Sequence, residues 1–306
     1  MPHAKEWLIF PENIGKHLSL DETALSHGEL YTVLTNKEAK GKKGSIVAII
    51  AGTRAESIIT LLNQHITQKQ RKKVQEITLD MAGSMNLIAR SCFSNASIVT
   101  DRFHVQQLAT EALQEMRIKH RWQAIDYENE AIEKAKAQKK KAWQPEVLSN
   151  GDTVKQLLAR SRYVLYKKQK DWTDTQKQRA KLLFESYPDL EQAYKLTQQL
   201  SNIFNTTKEK IFATTKLAQW HEKVAQSGFK SFNTISRTIM NHYRTILNYF
   251  DNRSTNASAE SFNAKIKAFR AQFRGVTNIG FFLFRLTDHD KNLWSKIRIK
   301  NRIFES

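Results

Sequence analysis

Hydrophobic and polar positions recur with two different periods along the first hundred residues. KHLSLDE (16–22) and ELYTVLT (29–35) read as short strands, and GSIVAIIAG (44–52) as a third, more apolar one. NKEAKGKKG supplies the turn between the second and the third. TRAESIITLLNQHI (53–66) carries Ile58, Leu61, Leu62 and Ile66 at helical spacing, with Thr53 placed to cap it. KVQEITLD (73–80) predicts a fourth strand, MAGSMNLIARSCF a helix, and ASIVTD (96–101) a fifth strand. This order implies an antiparallel meander, extended by parallel strands that helical crossovers deliver to the same sheet.

Beyond Asp101 the period becomes helical. Residues 103–143 read as one or two long basic helices, broken by Pro145 and the Asn150-Gly151 turn. Helix continues to about residue 250, punctuated at Tyr187-Pro188 and Ser227-Gly228, with no fixed repeat of the kind a solenoid needs. NRSTNASAESFNAKIKAFRAQ (252–272) opens a further capped helix, and IGFFLFRLTDHDKNLWSKIRI in the basic tail another.

Composition adds size and partners. With 306 residues, 40% hydrophobic and 26% charged, the chain is apolar enough to fold and long enough for about two domains. Only 4 prolines and 10 glycines leave room for long helices. Cys92 is the single cysteine, which excludes an internal disulfide and a thiolate-rich zinc site and points to a reducing compartment. No apolar run reaches a bilayer's thickness and MPHAKEWLIFPEN lacks signal-peptide order, so a cytoplasmic protein is expected, with no membrane partner. The 49 Lys and Arg against 30 Asp and Glu leave a net charge of +19, which favours a polyanionic partner such as nucleic acid. KAKAQKKKAW (134–143) reads equally well as a solvated basic surface.

Asp21, Asp80 and Asp101 each stand at the carboxyl end of a predicted strand, where open α/β sheets present functional groups. Any one of them alone reads equally as a turn or helix cap. If the first strand lies between the second and fourth, Asp21 and Asp80 are neighbours at a strand spacing of roughly 5 Å. Carboxylates facing a polyanion need a hard cation, for which Mg²⁺ or Mn²⁺ is suited. The helix at 256–267 offers another acid: Asn256, Glu260, Asn263 and Lys267 share one face. Basic and aromatic residues alternate at 160–172, where Arg160, Arg162, Lys167, Lys168 and Lys170 lie among Tyr163, Tyr166 and Trp172, a mixture of phosphate-binding and stacking groups. Such aromatics are equally at home in a core. Rival chemistries leave no trace: none of the 9 histidines is followed three residues later by arginine, and GKKGS (41–45) is a turn and not a phosphate loop.

LSLDETAL (18–25), ITLDMAG (77–83), IVTDRFHV (98–105) and TNASAESFNAKIK (255–267), with RSRYVLYKKQKDWT (161–174), resemble the DDE transposases of bacterial insertion sequences, and among them the ISL-three family. The resemblance implies an α/β fold with an RNase H-like, mixed five-stranded sheet, and a large all-helical insertion before the last catalytic helix. The core would occupy 1–110 and 250–306, the insertion 111–249. It implies metal-dependent DNA cleavage at transposon ends and strand transfer, with Asp21, Asp80 and Glu260 as catalytic ligands of two Mg²⁺ or Mn²⁺ ions. Asp101 and His104 form an accessory motif, Asp101 being the alternative second ligand. Arg160, Arg162, Lys167, Lys168 and Lys267 would bind DNA, and Trp143 or Trp172 would support a distorted transposon end. The expected partners are transposon ends and target DNA, a second copy of the chain, and a separately encoded recognition protein, since the family's usual zinc-binding and helix-turn-helix region has no counterpart in these residues. A nucleoid-associated protein follows. A truncated, DNA-binding remnant and a nuclease without strand transfer stay open as alternatives.

Overall fold

The computed structural model describes residues 6–26, 29–138 and 143–272. The chain divides into two compact units, one formed by the residues up to Asp101 together with those from Arg244 onward, the other by Arg102–Tyr243.

The first unit is built on strands β1 (Trp7–Ile9), β2 (His17–Ser26), β3 (Glu29–Asn36) and β4 (Ile46–Ala51), helices α1 (Ala55–His65) and α2 (Gln68–Arg71), strand β5 (Glu76–Leu79), helix α3 (Gly83–Cys92) and strand β6 (Ser97–Thr100). They form one six-stranded mixed sheet in the order β1-β4-β3-β2-β5-β6. The meander β2-β3-β4 is antiparallel, whereas β5 and β6 add in parallel beside β2, as the order of periods requires. The expected five strands are six because Trp7–Ile9 pairs antiparallel with the edge strand β4, and three residues are too few to show an alternating pattern. A second correction concerns Thr53: the N-cap of α1 is Arg54, in extended conformation and without a side-chain cap bond.

The two faces of the sheet differ in chemistry. Leu18, Leu20, Leu34, Ile77 and Leu79 point to one face and are sealed by Ile58 and Leu62 of α1 and Met85, Ile88 and Ala89 of α3, all essentially buried. The pleat sends Ser19 and Asp21 of β2 and Glu76 and Thr78 of β5 to the other face. The turn from β3 to β4 is a 3-10 segment at Lys37–Ala39, where the Asn36 side chain accepts from the Glu38 amide and Lys40 takes a left-handed conformation at φ 50°.

The second unit is helical: α4 (Arg102–Ala137), α5 (Val154–Tyr166), α6 (Asp174–Ser186), α7 (Pro188–Thr206), α8 (Lys210–Ser227) and α9 (Lys230–Asn241). Helix α4 is one uninterrupted 36-residue element against which α5, α7 and α9 pack. Thr153 with Gln156 and Thr173 with Gln176 form capping boxes that start α5 and α6. Pro188 opens α7, and Gly228, at φ 70°, closes α8. The chain then re-enters the first unit through α10 (Tyr243–Leu247), α11 (Tyr249–Asn252) and α12 (Ala257–Gln272). Among the described residues no helix is long and apolar enough to cross a membrane. The predicted helix within IGFFLFRLTDHDKNLWSKIRI lies outside the described residues.

Candidate functional site

The parallel ladders fix where the acidic residues fall. β2 pairs with β5 through His17–Glu76, Leu18–Ile77 and Ser19–Thr78, and β5 with β6 through Thr78–Val99 and Leu79–Thr100. Carrying the same offsets forward sets Asp21 beside Asp80 and Asp80 beside Asp101, a row in which Asp80 and Asp101 directly follow their strands, whereas Asp21, expected at a strand end, lies in the middle of β2 because the hairpin with β3 carries that strand on to Ser26. The Asp101 amide bonds to the Leu79 carbonyl at 2.9 Å, extending the last ladder by one residue.

Asp21 is half-buried. One carboxylate oxygen accepts from the Glu22 amide at 2.9 Å, and the other from the Asn263 side-chain amide of α12, also at 2.9 Å. Asp80 accepts from the Ala82 amide at 2.9 Å, so it shapes the turn into α3 as well as facing the site. Glu22, the next residue of β2, is a half-buried carboxyl that the sequence reading passed over. Burial, and then the charges of Asp80 and Asp21, push the Glu22 carboxyl above its ordinary value.

Helix α12 packs on β2 and β3. Ala259 and Phe262 are buried and set its inward face, with Asn256 buried beside them at the helix start and Asn263 half-buried. Glu260 and Lys267, which share the face of Asn256 and Asn263, sit at its rim and are exposed. The side-chain oxygen of Asn263 and both polar atoms of the Asn256 side chain have no hydrogen-bond partner among the described residues.

The chain leading into α12 is tied to the sheet through Glu76, a second residue that the sequence reading missed. Its carboxylate accepts from Lys37 Nζ at 3.2 Å and from the Asn252 amide at 3.0 Å, and Ser254 bonds to it as well. Burial raises the Glu76 carboxyl, but these hydrogen bonds and the Lys37 charge outweigh it and hold the group below the ordinary range. Lys37 also donates to Thr78 at 2.8 Å, yet burial lowers its ammonium despite Glu76 beside it. The pair is thus stabilised at its carboxylate end, which has the larger set of donors.

Asp101 is buried, and its charge reaches Lys37. His104 belongs to α4 of the second unit, half-exposed and in edge contact with Phe103 at 5.6 Å. Arg160 pairs with the buried Asp152, which Arg179 also holds at 3.0 Å. Arg162 and Lys167 are exposed and Lys168 half-exposed. Trp172 is a core residue: it is buried, donates to the Val164 carbonyl at 2.9 Å and packs on Tyr194, so it has no face for a base. Trp143 lines a cleft of about 430 Å³ with His120, Tyr127 and Tyr187.

Among the described residues no group of three or more His, Cys, Asp or Glu side chains is close enough to hold a metal ion together. The donor chemistry nevertheless fits a hard cation. Asp21 and Asp80 supply oxygen ligands, their charges add to burial in raising Glu22, and the Asn263 oxygen, unpartnered among the described residues, belongs to the side chain bonded to Asp21.

A family model described as a transposase, of the DDE and ISL-three type, matches residues 18–286. No curated protein and no solved structure matches the chain. The family match spans both Asp21 and Asp80 and the helix bonded to Asp21, and it covers most of the sequence: the chain belongs to the ISL-three family of transposases, whose substrate is DNA.

Proposed function

We propose that the chain is a DDE transposase, with an RNase H-like first unit, that cleaves DNA at transposon ends and joins the freed 3′ ends to target DNA. The observation that carries the reading is the alignment of Asp21, within β2, with Asp80, just past the end of the adjacent β5, together with the bond from Asn263 to Asp21 that draws α12 onto them. Asp21, Asp80 and Glu260 would hold the divalent ions, Asp80 being preferred over Asp101 because it adjoins Asp21, whereas Asp101 is one strand further and buried. When bound there, magnesium or manganese supplies charge neutralisation and an activated oxygen nucleophile for in-line displacement at phosphorus. Asn263 fixes the rotamer of Asp21. Glu260 is exposed on the first turn of α12, the helix that Asn263 ties to Asp21, and would complete the carboxylate set from there. Lys267, two turns further on, faces the DNA backbone, and Arg160, Arg162, Lys167 and Lys168 of the helical unit bind it elsewhere.

The test uses labelled duplexes cut from the DNA on either side of the gene, chosen for matching inverted sequence, with a target plasmid and Mg²⁺. Nicked and joined products are expected, and Asp21→Asn, Asp80→Asn or Glu260→Gln should lower both by about 10³-fold, the worth of several kcal/mol of transition-state stabilisation. Nicks without joined product would favour a nuclease. Unchanged cleavage by E260Q would remove Glu260 from the site.

A further inference from the structure

Helix α4 buries a cation that no acid neutralises. Arg117 is only 5% exposed, held where α4 packs on α5. Its Nε donates to Gln114 at 2.7 Å and its Nη1 to the Leu158 carbonyl at 2.8 Å, neutral acceptors both. Gln114 in turn donates to the Arg162 carbonyl at 3.4 Å, which locks the two helices at this point. The charges that act on Arg117 are the guanidiniums of Arg121 and Arg162, and together with burial they lower it from its usual value, Tyr166 alone working the other way. Among the described residues none of these three arginines forms an ion pair with a carboxylate, whereas Arg160 and Arg179 nearby in the sequence share Asp152. A desolvated cation between like charges is unfavourable unless an anion is supplied from outside. Beside the cluster the surface is aromatic: Tyr163 is 67% exposed and Tyr166 50%, with the Arg162 guanidinium 5.9 Å from the Tyr163 ring and Tyr166 close enough to act on Arg117.

We infer that Arg117, Arg121 and Arg162 form a preformed phosphodiester anchor on the helical unit, with Tyr163 and Tyr166 beside it. It takes a backbone phosphate of DNA, and it rests on the reading of the chain as a protein that acts on DNA. Arg121 and Arg162 are the exposed arms that make contact. Arg117 lies behind them and supplies field to the bound phosphate, its planar fork fixed by Gln114 and Leu158. The anchor recognises charge and not base identity, so it serves any sequence.

The experiment measures binding of the full chain to a fluorescent duplex of arbitrary sequence across a range of salt. Arg121→Gln with Arg162→Gln is compared with Lys181→Gln and Lys195→Gln, which remove the same charge from residues already paired with Glu185 and Glu191. The arginine pair is expected to lose at least about tenfold in affinity and to flatten the dependence of log K on log salt by about one to two units, with the lysine pair within about threefold of wild type. If the arginine pair tracks the lysine pair while the wild type binds, the anchor is overturned and the transposase reading stands. A wild type that binds no duplex at all overturns both. Displacement of the duplex by polyglutamate more readily than by unlabelled DNA at equal charge would reassign the cluster to an acidic protein and overturn the proposal too.

Discussion

A carboxyl that is partly buried beside other carboxylates lowers stability at neutral pH, and Glu22 is one, raised by burial first and then by the charges of Asp80 and Asp21. Its folded-state value lies above the ordinary one, so the folded chain holds that proton more tightly than the unfolded chain does. The associated stability is fully present below the ordinary Glu value of 4.5 and is lost as pH rises through the raised one. In metal-free protein at neutral pH, Glu22→Gln should therefore raise the melting temperature by about a degree, a fraction of a kcal/mol on a unit of this size. A calorimetric scan showing a lower melting temperature would contradict the assignment of crowding. Cys92 gives a second residue-level expectation: burial pushes its thiol up to about 11 despite the opposing Arg71 charge. The native protein should resist iodoacetamide at pH 8 and react only once unfolded, as mass spectrometry would report. Asp21 and Asp80 were legible in the sequence because each follows a recognisable apolar strand pattern, although β2 runs on past Asp21 to Ser26. Glu22 was not, since the pleat assigns it to the other face, and Trp172 reads in sequence like a stacking group until the fold buries it.

Among the elements, α12 depends most on distant parts of the chain. The Glu76 carboxylate holds Asn252 and Ser254 just before the helix, while Lys37 reaches it from the turn after β3. Lys37→Met removes one partner of a buried pair and should cost about 3 kcal/mol in a denaturant titration. It should also reduce DNA cleavage by loosening α12, though less than Asp21→Asn does. Glu76, held below its ordinary value, contributes stability that is present above pH 4.5 and lost as pH falls through the lowered value. Glu76→Gln should accordingly flatten the acid limb of a stability curve. The strand periods of β2 to β6 and the turn at Tyr187-Pro188 could be read directly from the chain. The three residues of β1 and the four of α2 could not, being shorter than the periodicity that would announce them.

On the scale of the molecule, charge dominates. With +19 on 306 residues, DNA affinity should fall at least tenfold between about 0.1 and 0.3 M salt, checked by the same anisotropy titration. The +19 charge could be counted in the sequence, but which arginines gather without acids could not, because Arg117 and Arg162 are distant in the chain and meet only through α4 and α5. The first unit is also discontinuous, its sheet ending at Asp101 and α12 arriving only at Ala257. A ribosome adding about 5–20 residues per second must therefore make the whole helical unit before Asn263 can reach Asp21. On the proposed mechanism, a nascent chain would carry its aspartates for many seconds before Glu260 emerged, and cleavage of the DNA from which it was being expressed would have to wait for α12.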